Sequence, residues 1–156
     1  MIIAMNPILA VASLLLSTCV CAQMPTFEQY PVTSHYTGPV RSLKLISAQD
    51  KEFRSHLAET AQRPVNFAGH YVLSTVGCGA SCVLTSILDA KTGRVSWLPF
   101  SLGCWNSDVL DPVQFRLDSD LLVLSGKRDE ASDGTSYMRL VAGRFQTVSA
   151  IENPPR

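Results

Sequence analysis

Cys78 and Cys82 stand four positions apart in GHYVLSTVGCGASCVL, Gly69–Leu84, with His70 upstream and Cys104 downstream. Three chemistries suit these residue types. A disulfide needs its two Cα atoms within about 4.4–6.8 Å. Gly77 and Gly79 bracket Cys78, and glycine tolerates the positive φ that lets so short a loop fold back. The closed loop is small, so its entropic gain is about 2 kcal/mol, enough to pin a link between two strands but not to hold up a fold. A zinc site would use His70, Cys78, Cys82 and Cys104. The ligand types fit, but only one short-spaced pair exists where zinc modules usually supply two. A redox pair wants C-x-x-C at a helix N-terminus; here the spacing is one longer and the context is a strand pair. The pattern favours the Cys78–Cys82 staple with Cys104 left over, and it calls for neither metal nor cofactor.

The compartment argues the same way. Ile8–Ala22, ILAVASLLLSTCVCA, is almost wholly apolar and is followed at once by polar sequence. Such a run is short for a stable membrane span and suits the core of a signal peptide. Val20 and Ala22 are small residues at the −3 and −1 positions of a cleavage after Ala22. Residues 1–22 therefore read as a signal peptide, leaving no stable membrane span, although MIIAMNP lacks the usual positive charge. Lipid attachment at Cys19 fits less well, because Thr18 precedes it. Export to the periplasm or beyond places the remaining cysteines where disulfides persist.

Gln23–Arg156 suffices for one domain with a sizeable core. The chain carries 13 basic and 13 acidic residues, all beyond residue 22, and no Lys/Arg cluster. Nucleic-acid binding is disfavoured, since phosphate recognition needs a basic excess on one face. No G-x-S-x-G motif appears, no cysteine looks activated, and nothing singles out a carboxylate pair. Asp118-Ser119-Asp120 reads as a turn, not a calcium loop.

The elements that would position these residues follow from periodicity. Residues 23–38 are rich in Pro and Thr and read as an extended surface lead-in; 39–151 form a single β-rich domain, and 152–156 a tail unable to pair. Pro39–Ile46 reads as a first strand. Phe53, Leu57 and Ala61 fall on one helical stripe, with Ser47 as N-cap and Pro64 as terminator. From Phe67 onward the chain reads as strands and turns: HYVLSTV, VLTSILD, RVSWLPF, VQFRL, LLVLSG, TSYMRLV and FQTVSAI. LLVLSG is apolar on both faces and should be central. KRDEASDG reads as a polar loop. The order strand, loop, strand, turn, strand occurs twice, faintly like propeller blades, yet two units cannot close a propeller. The expected fold is mainly β with one helix (α+β), an antiparallel meander of about seven strands with one covering helix, or a sandwich.

Arg63–Val95, RPVNFAGHYVLSTVGCGASCVLTSILDAKTGRV, resembles the core of an uncharacterised family of short exported bacterial proteins. These share an N-F-A-G-H-Y segment, a G-C-G-x-x-C loop and a D-A-K-T-G turn. A Trp often precedes their GCG loop, where this chain has Val76. The resemblance implies fold and compartment but no reaction.

The reading that follows is a small exported binding module without enzymatic activity, such as an inhibitor or immunity-type partner of another exported protein. A thiol- or metal-dependent envelope enzyme using His70 with Cys78 or Cys82, and a structural envelope component, are the alternatives. Partner contact is expected at the end of the sheet bearing Gly77 and Gly79 together with Trp105, Asn106 and Asp108. His70 should lie at the opposite end. His35 and His56 read as solvated, and Trp97 as core.

Overall fold

The structure, a computed structural model, describes residues 23–103 and 109–153. The signal-peptide reading of residues 1–22, Cys104, and the proposed contacts Trp105, Asn106 and Asp108 lie outside the described residues.

Eight strands form one antiparallel open sheet with one main helical segment against it, the mainly β α+β class expected. They are β1 (Tyr71–Gly79), β2 (Cys82–Asp89), β3 (Val95–Trp97), β4 (Leu102–Gly103), β5 (Val113–Phe115), β6 (Leu121–Arg128), β7 (Ser132–Val141) and β8 (Arg144–Glu152). The order is β1-β2-β4-β6-β7-β8, with β3 beside β2 and β5 beside β6. The sequence echo is therefore real: β1–β2–β3 and β6–β7–β8 are two meander units. β4 joins them, Leu102 pairing with Val83 and Arg128, and Gly103 with Cys82 and Lys127.

Strand alternation sorts the core. Leu73 and Ile87 of the first unit share one cluster with Leu122, Leu124, Met138 and Leu140 of the second. Each such side chain stabilises the fold by about 1.5–3 kcal/mol when fully buried. All of Leu121–Leu124 is buried, as expected for a central strand, because the second face is covered too. Leu121, Val123 and Tyr137 pack beneath Phe27 and Tyr30.

That covering corrects the lead-in reading. Residues 27–29 form a short 3-10 helix, and Ser119 Oγ lies 3.0 Å from the Phe27 carbonyl and 2.9 Å from that of Tyr30. The segment is apolar padding for β6, a role that its lack of periodicity conceals.

Pro39–Ile46 is not a strand. Its sheet contact is an isolated bridge, Lys44 to Arg94, and Ile46 is exposed. Among the described residues its backbone bonds toward the sheet are those from Arg41 N–H to Ala90 and Lys44 N–H to Gly93, so no ladder builds. KRDEASDG is not wholly loop either. β6 continues to Arg128, β7 starts at Ser132, and Asp129 and Glu130 turn the chain with positive φ. The tail pairs at its start, Glu152 opposite Gly134, because β7 is long enough to carry it.

The helix begins where expected. Asp50 N–H donates to Ser47 Oγ at 3.0 Å while Asp50 Oδ2 accepts from the N–H groups of Ser47 and Ile46, each at 2.8 Å. It divides into α1 (Ala48–Glu52) and α2 (Arg54–Thr60) at Phe53, whose φ of −94° and ψ of 23° depart from helical values. Leu57 of the expected stripe is fully buried, and Thr60 turns inward with it. His56 is half-buried, not solvated: its Nε2 lies 3.0 Å from Ser74 Oγ. The sheet face beneath carries hydroxyls, so polar helix residues complete it.

Candidate functional site

Cys78 and Cys82 are joined by a disulfide, with Cα atoms 5.2 Å apart. The β1–β2 pairing runs to Gly79 opposite Cys82, with Ala80-Ser81 as the turn and a register shift between Gly77 and Gly79. Gly79 has φ of 140° and Ser81 φ of 50°. Gly77 takes no positive φ and a Cβ there would meet open space, so closure depends on Gly79, not on both glycines. Gly77, Cys78 and Gly79 are exposed, and β4 abuts the loop through Gly103.

His70 stands at the other end of β1. Tyr71 pairs with Asp89 there, whereas Gly79 pairs with Cys82. The extended chain between His70 and Cys78 spans roughly 26 Å at ~3.3 Å per residue, so His70 and the cystine do not share one centre. The His70 ring stacks on Tyr71, centroids 4.0 Å apart. Burial and the Lys91 charge hold its pKa below the ordinary value, with Asp89 opposing. Among the described residues no group of three or more His, Cys, Asp and Glu side chains is arranged to hold a metal ion.

The other histidine sits in a hydroxyl cluster. Ser74 Oγ is 3.0 Å from His56 Nε2, 2.9 Å from Thr60 Oγ1 and 2.9 Å from Ser86 Oγ. A serine–histidine pair invites a nucleophile reading, but Ser74 is buried and its hydroxyl is shared among three partners. The cluster locks α2 onto β1. Burial and Arg63 lower the His56 pKa, opposed by Glu59.

A cavity of about 350 Å³ lies along β1, floored by Leu73, Val83, Val113 and Phe115. Arg63 and Asn66 line it, as do Thr75 and Asp111. One end is tied shut: Ala68 N–H donates to the Arg116 carbonyl at 3.3 Å and Gly69 N–H to that of Leu117 at 2.8 Å.

The free edge of β1 borders this cavity, and its hydrogen bonds stop partway along. Tyr71 exchanges bonds with Phe67 at 2.9 and 3.1 Å. At Leu73 a side chain takes over the ladder: Asn66 Oδ1 accepts from Leu73 N–H at 2.8 Å, and Asn66 Nδ2 donates to its carbonyl at 3.0 Å. By the alternation of a strand, Thr75 and Gly77 present their N–H and C=O groups to the same edge. Both are exposed, and neither has a partner on that edge among the described residues. Directly across from Thr75 on β2, Thr85 Oγ1 is the buried side-chain oxygen without a hydrogen-bond partner among the described residues.

From sequence, Gly77 and Gly79 are expected at an end of the sheet; the structure puts Gly77 on this edge of β1. The sequence does not reveal Arg63, Asn66 or Asp111 as cavity residues, since their meeting depends on which strand is left at the sheet's border. The remaining signal was Asn66 just before a strand, a residue type whose side-chain amide imitates a peptide group. Comparison with family models, with curated proteins and with solved structures gives no match for this chain.

Proposed function

We propose that this chain is an exported, non-enzymatic binding module that recognises another exported protein through the free edge of β1 and the cavity beside it. The observation that carries the reading is the interrupted ladder: Tyr71 and Leu73 are satisfied, while Thr75 and Gly77 offer paired donors and acceptors beside an apolar floor. An open strand edge is a ready template for an added strand. The cystine at the end of β1 stiffens it and supports an oxidising setting, in keeping with the apolar run at Ile8–Ala22. The distance of His70 from the cystine along β1 supports the binding reading over the thiol-enzyme one.

A photo-crosslinking residue at Thr75, installed in a host that exports the chain, tests this reading. A discrete adduct from Thr75, absent from the same residue at exposed Lys51 on α1, is the expected result. Adducts from Lys51 alone, or none from Thr75, would overturn it.

A further inference from the structure

We infer that the cavity takes the free C-terminus of an extended peptide, with its last apolar side chain on the cavity floor and its carboxylate at Arg63. The inference rests on the binding reading above and names the chemistry of the partner.

Three observations fix the pose. The first is where the ladder ends. Asn66 occupies the edge of Leu73 with both polar atoms of its amide, so a strand added along Thr75 and Gly77 finds no further partner beyond Thr75. The hydrogen bonds from Ala68 and Gly69 to Arg116 and Leu117 close the same end. A chain entering from the cystine end must therefore stop there or turn out into solvent.

The second is the charge at the stop. Arg63 lines the cavity together with Asn66, and it takes part in no ion pair among the described residues. Asp111, the acidic residue of the lining, belongs to the wall that precedes β5. Its Oδ1 accepts from Val113 N–H at 3.3 Å. β5 runs from Asp111's neighbour Val113 toward Leu117, whose carbonyl meets Gly69 at the closed end, so Asp111 belongs to the open end. A cation on the segment that carries Asn66, where the ladder stops, and an anion at the open end select a terminal carboxylate, not a terminal amine, at the stop. A peptide whose C-terminus lies there runs antiparallel to β1, the pairing that the rest of this sheet uses.

The third is the floor. Leu73 and Val83 belong to the first meander unit, Val113 and Phe115 to the strand beside the second. Together they offer an apolar seat beside the strand edge for the last side chain of the peptide. This is the division of labour in strand addition, in which the backbone ladder gives affinity and a side-chain seat gives specificity.

The test uses the whole secreted chain and fluorescent short-peptide pools ending in Val, Leu or Phe, each made with a free carboxylate and as the amide. Free-acid pools should bind with amide-proton shifts confined to Thr75–Gly79 and the cavity residues. Amidation should weaken binding about tenfold or more, the worth of a charge-assisted hydrogen bond. Arg63→Gln should remove that preference for the free acid while leaving the melting temperature unchanged. Equal binding of amide and acid pools at the same amides would overturn the carboxylate inference and leave the edge-binding reading standing. Binding whose shifts lie elsewhere, or no binding by any pool, would overturn the inference as well. Crosslinking at Thr75 judges the underlying reading independently.

Discussion

Asp50 Oδ1 accepts the indole N–H of Trp97 at 2.9 Å, across 47 residues of sequence. The same carboxylate caps its own helix through Ser47 and Ile46, so one buried group fixes the helix start and ties it to β3. Phe53, at the kink, meets the Trp97 ring with centroids 5.4 Å apart. Trp97 is thus not a core plug but a half-buried clasp.

Asp50→Asn should cost about 1–3 kcal/mol, since it removes charge from an acceptor serving three donors. Trp97→Phe should cost less. In denaturant titrations the double variant should fall short of additivity by about 1 kcal/mol, the worth of the shared bond. Strict additivity would show that the two residues act independently.

Acid should weaken the fold in two stages. His56 and His70 both titrate below the ordinary 6.5, chiefly because burial disfavours their charged forms. A depressed folded-state pKa means that the unfolded chain binds the proton first. Their contribution is therefore complete above pH 6.5 and is lost as pH falls through the folded-state values. For Asp50, burial raises the pKa, but its hydrogen bonds outweigh this and hold it below 3.8, so its contribution is lost only at still lower pH. Melting temperature against pH should be level above 6.5 and slope downward beneath it, and His56→Gln should shallow the upper slope. A midpoint that rises on mild acidification would contradict this.

Much of this fold was legible because local signals agreed. LLVLSG is apolar at every early position and is central; AKTG turns tightly, with Asp89 Oδ1 accepting from Lys91 N–H at 2.8 Å. A Cβ on Gly93 would strike the Ser42 carbonyl. The cystine was legible from the short spacing, the flanking glycines and the apolar N-terminal run together. What sequence could not give was pairing. Leu102-Gly103 reads as loop and is the two-residue strand that joins both halves of the sheet. Pro39–Ile46 has a strand's composition but lacks a ladder. His56 looked solvated because nothing local reveals Ser74 waiting beneath it.

Ser119 marks another such long-range tie. Its hydroxyl meets the Phe27 and Tyr30 carbonyls and accepts from Leu121 N–H at 3.2 Å, while Ser119 itself is buried. Ser119→Ala should cost about 1–3 kcal/mol by orphaning these groups. Hydrogen exchange should quicken at Val32, whose N–H bonds to the Asp118 carbonyl. An unchanged stability would mean that the 27–32 segment is held by its aromatic packing alone.

Removing the cystine should be mild. Cys78→Ser with Cys82→Ser should lower stability by about 2 kcal/mol, the loop being short, and leave the sheet intact. Global unfolding of the variant under native conditions would show that the staple carries the fold.

The claim that the free edge of β1 is the recognition surface is tested most directly by Thr75→Pro. Proline removes the edge-facing N–H and is tolerated where a strand borders solvent. The measurement is capture of the Thr75-crosslinked partner by the unmodified chain and by the proline variant, with melting temperatures recorded alongside. The account predicts that capture is lost while the midpoint stays close to that of the parent. Equal capture by a folded Thr75→Pro chain would contradict it.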